Sequence, residues 1–146
     1  MHIEPISEAN LRILTELALA LWPDCSFEEE YEYYKRMIGS NTEVCYLVKV
    51  QEDYVGLIQL SLRTEHVEGT TTSPVAYVEG IYVKPEYRKR GIGKQLITFG
   101  ESWAKQKGCT EYASDVELPN TKSIAFHQKA GFEEVNRIVC FAKKLL

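Results

Sequence analysis

The sequence lacks the features of several large classes of protein. Within its 146 residues, no apolar run approaches the ~20 residues of a membrane span, and the starting stretch MHIEPISEAN has neither the basic start nor the apolar core of a signal peptide. The 17 lysines and arginines are outnumbered by 21 aspartates and glutamates, so the net charge is −4. Because a nucleic-acid-binding face needs an excess of positive charge, we expect no nucleic-acid partner. Without a membrane span or a signal peptide, we also expect a cytoplasmic protein with no membrane partner.

Metal and disulfide chemistry also lack their usual signals. The three histidines have no ligand spacing, and the four cysteines contain no CxxC pair. We therefore expect no metal and no disulfide, with Cys45 and Cys109 as small buried side chains rather than nucleophiles. The phosphate-binding signatures GxxxxGK[ST] and GxGxxG are absent too.

What is present is an arrangement of strand, basic glycine loop and helix within residues 75–107. An apolar run, Val75–Val83, is followed by Arg88-Lys89-Arg90-Gly91-Ile92-Gly93 and then by a helical pattern to about Lys107. Backbone N–H groups at a helix start lack partners within the helix, and the helix dipole is positive there. The arrangement therefore predicts an anion site, although a lone GxG is equally typical of a tight turn and a basic run of a solvated one.

The apolar strand is interrupted by Glu79 and Gly80. Glycine inside a strand indicates a bulge or a close approach of another group to the backbone. We predict that the strand opens at this point, which leaves N–H groups near Ile81–Val83 free for a ligand.

The remaining periodicity predicts a single domain, residues 1–146, of the α+β class with a mixed sheet. Ser7 and Thr121 are candidate N-caps, and Ser26 with Glu29 forms a capping box. The predicted strands are His2–Ile6, Val44–Val50, Tyr54–Arg63, Val75–Val83, Thr110–Asp115, Phe132–Asn136 and Arg137–Lys143. The predicted helices run from Ser7 to Leu21, from Ser26 to about Ile38, from the glycine loop to about Lys107, and over Ser123–Lys129.

Two carboxylates are candidates for chemistry. Glu79 lies at the predicted opening, and Asp115 ends the following strand, where ligand clefts commonly lie. Together they would form an anionic hollow that binds an ammonium group and accepts its proton. Each has a structural alternative: Glu79 can point outward or pair with an arginine, and Asp115 can simply initiate a turn.

Three further residues are open to two interpretations. Trp22, at the end of the first helix before Pro23, either belongs to the core or lines a cleft. Asn120 is either a turn residue or a ligand contact, and His127 is either a packed helical side chain or a proton donor near neutral pH.

The segment with Pro85, Tyr87 and RxxGxG resembles the acetyl-CoA motif of the GCN5-related N-acetyltransferase (GNAT) superfamily. The resemblance implies the GNAT fold, a mixed and mostly antiparallel central sheet flanked by about four helices, with acetyl-CoA as co-substrate. His127 stands where the family's FYxKxGF segment has a tyrosine that can protonate the leaving thiolate, so the general acid is left open. The implied coenzyme contacts are Ile81, Tyr82, Val83, Arg88, Lys89, Arg90, Gly91, Ile92, Gly93, Lys94 and Asn120.

Over nearly its whole length the chain is also similar to aminoglycoside 6′-N-acetyltransferases. Segments that carry this similarity are Leu21–Asp24, Thr72–Val83, Trp103–Lys105, Cys109–Asp115 and His127–Gln128. It implies a homodimer in which Glu79 and Asp115, the two candidate catalytic residues, contact the aminoglycoside. The implied substrate-binding residues are Trp22, His66, Glu79, Asp115 and Asn136. His66 stands where relatives tend to have tyrosine and Asn136 where they tend to have glutamate.

Three functions remain open on the sequence. The first is acetyl transfer to the 6′-amino group of aminoglycosides, whose positive charge an acidic cleft attracts. The second is acetyl transfer to another amine, such as a polyamine, an amino-sugar or a peptide. The third is a non-catalytic module that binds acyl-CoA.

Overall fold

The computed structural model describes residues 1–146 and contains one sheet, four α-helices and a short 3₁₀ turn at Pro85–Tyr87. The elements confirm the predicted α+β class, and most bounds lie within two residues of those predicted. The strands are β1 (His2–Pro5), β2 (Glu43–Val50), β3 (Asp53–Arg63), β4 (Val75–Val83) and β5 (Tyr112–Ser114). The helices are α1 (Leu11–Leu21), α2 (Phe27–Met37), α3 (Ile92–Gln106) and α4 (Thr121–Lys129).

The five strands lie in chain order across the sheet. Each of the pairs β1–β2, β2–β3 and β3–β4 is antiparallel, whereas β4 and β5 are parallel. The single parallel pair requires a crossover, and α3 provides it, as expected for a β-helix-β unit. The sheet is therefore mixed and mostly antiparallel, as the resemblance implied.

Helices cover the two faces of the sheet, and the strand residues alternate between them. Leu47 and Leu57 pack with α1 and α2, while their neighbours Val48 and Ile58 belong to the cluster that contains Leu96 of α3. All five of these side chains are fully buried. Central strands covered on both faces are expected to be apolar throughout, which explains the continuous apolar runs of the sequence.

The helix starts correct two predicted caps. Helix α2 begins after Ser26, whose Oγ accepts a hydrogen bond from the Glu29 N–H (3.1 Å), as predicted. Helix α1 begins later than predicted, because Asn10 rather than Ser7 is its N-cap and the Asn10 side chain instead accepts from the Ser7 N–H (2.8 Å). Helix α4 is capped by Asn120, not Thr121.

The two predicted C-terminal strands, Phe132–Asn136 and Arg137–Lys143, are wrong for the single chain. After α4 the chain has no regular structure, and residues 133–146 are all exposed. No strand of the same chain pairs with this segment, so it cannot satisfy its backbone groups in a ladder. We call residues 133–146 the C-terminal segment.

Cys45 and Cys109 are buried as predicted, and all four cysteines are free. None of the helices is long and apolar enough to cross a lipid bilayer.

A tight contact between α3 and β5 gives a test of this packing. A Cβ added to Gly100 would clash with the Tyr112 hydroxyl oxygen. We expect Gly100→Ala to destabilise the protein by about 1–3 kcal/mol through overpacking. In a Tyr112→Phe background the same change should cost less, because the closest contact is gone and alanine favours a helix by about 1 kcal/mol over glycine, although Leu60 Cδ2 still lies 3.1 Å from the added Cβ. Urea unfolding of the four proteins measures this, and an equal loss in both backgrounds would contradict the packing.

Candidate active site

Strand β4 carries a bulge at the predicted position. Val78 pairs with Leu60 and Gly80 pairs with the neighbouring Gln59, so Glu79 is the extra residue. A Cβ added to Gly80 would lie 2.5 Å from Cη2 of Trp22, which means that the indole rests on the backbone of the bulge. The structure thus confirms the interruption at Glu79–Gly80 and brings Trp22 directly against it.

Beyond this bulge the outer edge of β4 is open. Strand β5 pairs only with Ala76, Tyr77 and Val78, so no strand of the chain lies beside residues 79–83 on that edge. The Lys84 N–H donates to the Val55 carbonyl of β3 (2.8 Å). Because successive residues of a strand direct their backbone groups to opposite sides, the N–H groups of Ile81 and Val83 point toward the open edge.

The loop after β4 exposes a row of backbone donors. The N–H groups of residues 89–94 donate to no carbonyl or side chain, and no side chain caps α3. Gly91, the N-cap, has φ +81°, and Lys89 has φ +63°; such left-handed residues next to a helix start turn several N–H groups toward one point. Arg88 Nε donates to the Val83 carbonyl (2.7 Å), which holds a positive charge at the open edge. Loop and edge together therefore form one continuous surface of donors and positive charge.

The two glycines of RxxGxG have different roles. Gly91 has nothing within 4 Å of an added Cβ, so it is needed for its left-handed conformation. A Cβ on Gly93 would lie 2.9 Å from Cε1 of Phe126, so this position must be small to accommodate the α4 ring. The side chain of Asn120 already makes one hydrogen bond within the protein, because its Oδ1 accepts from the Ser123 N–H (3.2 Å).

Glu79 is paired with an arginine. Arg63, the last residue of β3, donates from Nε to Oε2 (2.9 Å) and from Nη2 to Oε1 (2.7 Å) of Glu79. Ser61 donates a third hydrogen bond to Oε2 (2.5 Å). Burial by itself raises the pKa of Glu79, but the hydrogen bonds from Arg63 and Ser61 outweigh it and hold this pKa below its ordinary value.

Asp115 is linked to the same group of side chains through Tyr77. The Tyr77 hydroxyl donates to Oδ2 of Asp115, and the Arg63 guanidinium lies 3.5 Å from the centroid of the Tyr77 ring. Burial and the contact with Asp115 raise the pKa of Tyr77, so the hydroxyl keeps its proton. A single chain of contacts therefore runs from Glu79 through Arg63 and Tyr77 to Asp115.

The two carboxylates differ in their free acceptor positions and in their uncompensated charge. Three of the approximately four acceptor positions of Glu79 are filled, whereas Asp115 accepts only the bond from Tyr77. Arg63 also cancels one of the two negative charges. Asp115 is thus the carboxylate that retains both charge and free acceptor positions.

His127 is buried rather than exposed. Its Nε2 lies 2.8 Å from the Ser114 hydroxyl, and its Nδ1 lies 2.8 Å from the Ser123 carbonyl. Since a carbonyl only accepts, Nδ1 carries a proton, and in the neutral ring Nε2 accepts from Ser114. His127 is therefore hydrogen-bonded to the residue that precedes Asp115.

Two of the predicted substrate residues lie together but contact neither carboxylate. The side chain of His66 is 75% exposed and lies 3.9 Å from Glu68, to which Asn136 donates a hydrogen bond (3.0 Å). A Cβ on Gly69 would meet the side chain of Val135, so this loop lies against the start of the C-terminal segment.

Sequence reasoning did not single out Ser61, Arg63, Tyr77 or Ser114. The available signal was the period-two alternation of strands, which places Ser61 and Arg63 on one face of β3 and Tyr77 and Glu79 near each other on β4. That signal becomes specific only when the register is known, because Arg63 pairs with Val75 and reaches Glu79 across the Tyr77 ring.

The structure also has features that lie apart from this cluster. A groove of about 460 Å³ is lined by Ile3 and one side of α3, and Lys94 is the only predicted coenzyme residue in it. No group of three or more histidine, cysteine, aspartate or glutamate side chains is placed to hold a metal ion.

Comparison with known proteins identifies close relatives. The model of the "Acetyltransferase (GNAT) family" matches residues 8–132. An aminoglycoside N(6′)-acetyltransferase type 1 of Acinetobacter baumannii is 42% identical, with 99% of each chain covered. The apo crystal structure of the aminoglycoside 6′-N-acetyltransferase AAC(6′)-IG from Acinetobacter haemolyticus is 39% identical, with a TM-score of 0.93 and 99% of each chain covered. AAC(6′)-Iy in complex with the bisubstrate analogue CoA-S-monomethyl-acetylneamine is 31% identical, with a TM-score of 0.94. The match covers 99% of this chain and 98% of that one.

Proposed function

The chain belongs to the acetyltransferase (GNAT) family, and on that basis we propose that it transfers the acetyl group of acetyl-CoA to the 6′-amino group of aminoglycosides. The transfer of such an acetyl group modifies an antibiotic, so the activity confers resistance. The observation that carries the proposal is the position of Asp115 beside the split between β4 and β5, where the open edge of β4 leads into the basic loop.

Backbone groups are proposed to bind the coenzyme. The free N–H groups of residues 89–94 and the charges of Arg88 and Arg90 suit a diphosphate, as at other helix starts. The outward N–H groups of Ile81 and Val83 suit the amide-rich arm and the acetyl oxygen, whose negative charge grows during transfer. Acetyl-CoA, when bound, supplies the thioester. Asn120 retains its side-chain N–H₂ for the same ligand.

The carboxylates are proposed to bind the amine and to promote the loss of its proton. An aminoglycoside arrives as a polycation, and its reacting ammonium must lose a proton before it can attack. Asp115 has free acceptor positions at the split of the strands, so it suits the roles of ammonium contact and proton acceptor, directly or through water. Glu79 contributes through its charge and through the side chains it orders, since a lowered pKa makes it a weaker base. Trp22 offers a ring face to a sugar beside the bulge.

One observation favours a second candidate, acetyl transfer to another amine. Arg63 cancels one of the two negative charges, so the cleft is less acidic than two free carboxylates would make it. Asn136 adds no charge, and His66 is mostly exposed. A substrate with fewer positive charges, such as an amino-sugar with one amine, would also suit this electrostatic setting.

A thiol-release assay with acetyl-CoA distinguishes the two candidates. We expect turnover of kanamycin and none of an analogue in which a hydroxyl group replaces the 6′-amine. The analogue keeps its other amines but has no nitrogen at the 6′ position to accept the acetyl group. Spermidine at the same concentration is the control for a general amine acetyltransferase. Turnover of spermidine without turnover of kanamycin would select the second candidate, and coenzyme binding without turnover of any amine would leave only a binding module.

The division between coenzyme and amine sites is tested by three variants. Asp115→Ala and Glu79→Ala should lower kcat/KM for the amine and leave coenzyme A affinity unchanged. Gly91→Val should weaken coenzyme A binding, because a side chain at φ +81° strains the loop that presents the N–H groups. Calorimetry with coenzyme A and steady-state kinetics measure the two effects, and equal losses of both in all three variants would refute the division.

A homodimer is proposed as the working form. The C-terminal segment is rich in apolar and β-branched residues, and Val139, Phe141 and Leu145 are 77%, 91% and 87% exposed. At the same time, the outer edge of β5 has no neighbouring strand. Such an apolar segment and such an open edge are costly in water, and pairing between two copies would cover both. The start of the segment, with Val135 and Asn136, lies against the loop that carries His66, so a second copy would lie near this side of the site.

The dimer is tested through Phe141. We expect Phe141→Asp to convert a dimer into a monomer in sedimentation experiments at micromolar concentration, because it places a charge in the apolar contact. Leu118→Asp is the matched control, since Leu118 is also exposed (59%) but lies outside the C-terminal segment. A Phe141→Asp protein that stays dimeric, or an unaltered protein that is monomeric at these concentrations, would contradict the proposal.

A further inference from the structure

Arg63 contacts the candidate site at two points, Glu79 and the Tyr77 ring. Its side chain is 39% exposed, yet its hydrogen bonds go to Glu79 and it lies over the ring that is bonded to Asp115. It forms a two-point hydrogen bond with Glu79, and its guanidinium lies face-on to the Tyr77 ring. Two-point pairing and stacking both depend on the planar guanidinium, and lysine can supply neither.

Arg63 reaches Glu79 by an indirect path. In the sheet it stands opposite Val75, and its side chain extends over Tyr77 to the bulge. The ring beneath it is the same ring whose hydroxyl donates to Asp115. A change in the position of the guanidinium therefore acts on Glu79 directly and on Asp115 through the tilt of Tyr77.

We propose that Arg63 is a positioning residue for the acetyl transfer: it fixes Glu79 by paired hydrogen bonds and fixes Asp115 through the stacked Tyr77. It also acts as a built-in cation that keeps the charge of the hollow at one negative unit rather than two. The inference rests on the proposed function, because it concerns the same amine site. Its two effects, on geometry and on charge, predict opposite changes in turnover and in substrate affinity.

Geometry governs turnover. Without the guanidinium, Tyr77 loses the group stacked on it and Glu79 loses two of its three hydrogen bonds, so neither carboxylate stays fixed. Small misplacements of catalytic groups reduce rates by up to about 100-fold.

The charge of Arg63 affects a different constant, the affinity for the polycation. Because loss of Arg63 leaves Glu79 uncompensated, a cationic amine should bind more tightly at low ionic strength.

Two substitutions separate these effects. We expect Arg63→Met to lower kcat for kanamycin about 10- to 100-fold and to lower its KM at low salt, with the decrease in KM disappearing as salt is added. Arg63→Lys keeps the charge but not the paired bonds or the stacking, so it should lower kcat while KM stays near the unaltered value. Lys105→Met is the control for the loss of one positive charge, because Lys105 lies near the end of α3 farthest from the glycine loop and is paired with Glu101 (3.8 Å); it should change neither constant.

Other outcomes would overturn the inference. A merely structural role for Arg63 would reduce the active fraction, which lowers kcat to the same extent in Met and Lys variants without any salt-dependent change in KM. Unchanged kcat in Arg63→Met would exclude the positioning role outright.

A further measurement does not depend on activity. Arg63→Met, Tyr77→Phe and the double variant are compared in urea unfolding. If the ring transmits the position of Arg63, the double variant should be less destabilised than the sum of the single variants, whereas strict additivity would refute the linkage. If the unaltered protein turns over no aminoglycoside, the proposed function fails, and this cycle still decides whether Arg63 and Tyr77 act as a unit.

Discussion

The insertion of one residue, Glu79, into β4 is the constraint on which the rest of the site depends. A regular strand would continue its pairing with β5 and would leave no free edge. The bulge increases the local bend and twist, and pairing with β5 ends at Val78, immediately before it. From that point onward the backbone of β4 has donors on one side, and the loop that follows continues them into the start of α3. The strand opening and the loop of free N–H donors are therefore consecutive parts of one backbone feature.

The same insertion determines the electrostatics of the cleft. Glu79 is directed to the face where Ser61 and Arg63 of β3 lie, and these residues fill most of its acceptor positions. A partly buried carboxylate without such partners would tend to take up a proton, since burial raises its pKa. With these partners Glu79 stays ionised, but its charge is already paired with Arg63. Asp115, which directly follows β5, accepts a single hydrogen bond from a neutral donor, and for this reason we propose it as the proton acceptor.

Much of this could be predicted from the sequence, for identifiable reasons. The bulge followed from Gly80 inside an apolar strand, and the donor loop followed from two glycines and a basic run before an amphipathic helix. The pairing of Glu79 with an arginine was one of two alternatives, and choosing Arg63 required the register of β3 against β4, which a sequence alone does not fix. The strands expected after α4 are absent although the outer edge of β5 is free, because β propensity indicates that a segment suits a sheet but does not decide which edge it pairs with.

Two aromatic rings explain why the backbone around the site keeps its shape. Trp22 lies on Gly80 at the bulge, and Phe126 lies on Gly93 in the first turn of α3. In each case a helix from another part of the chain presses a flat ring onto a position where no side chain fits. A donor array is useful only if its N–H groups stay aligned without a ligand, since aligning them at the moment of binding would cost free energy. Support from α1 at one end and from α4 at the other provides that alignment, so two helices that contribute few polar groups nevertheless determine the geometry of the site.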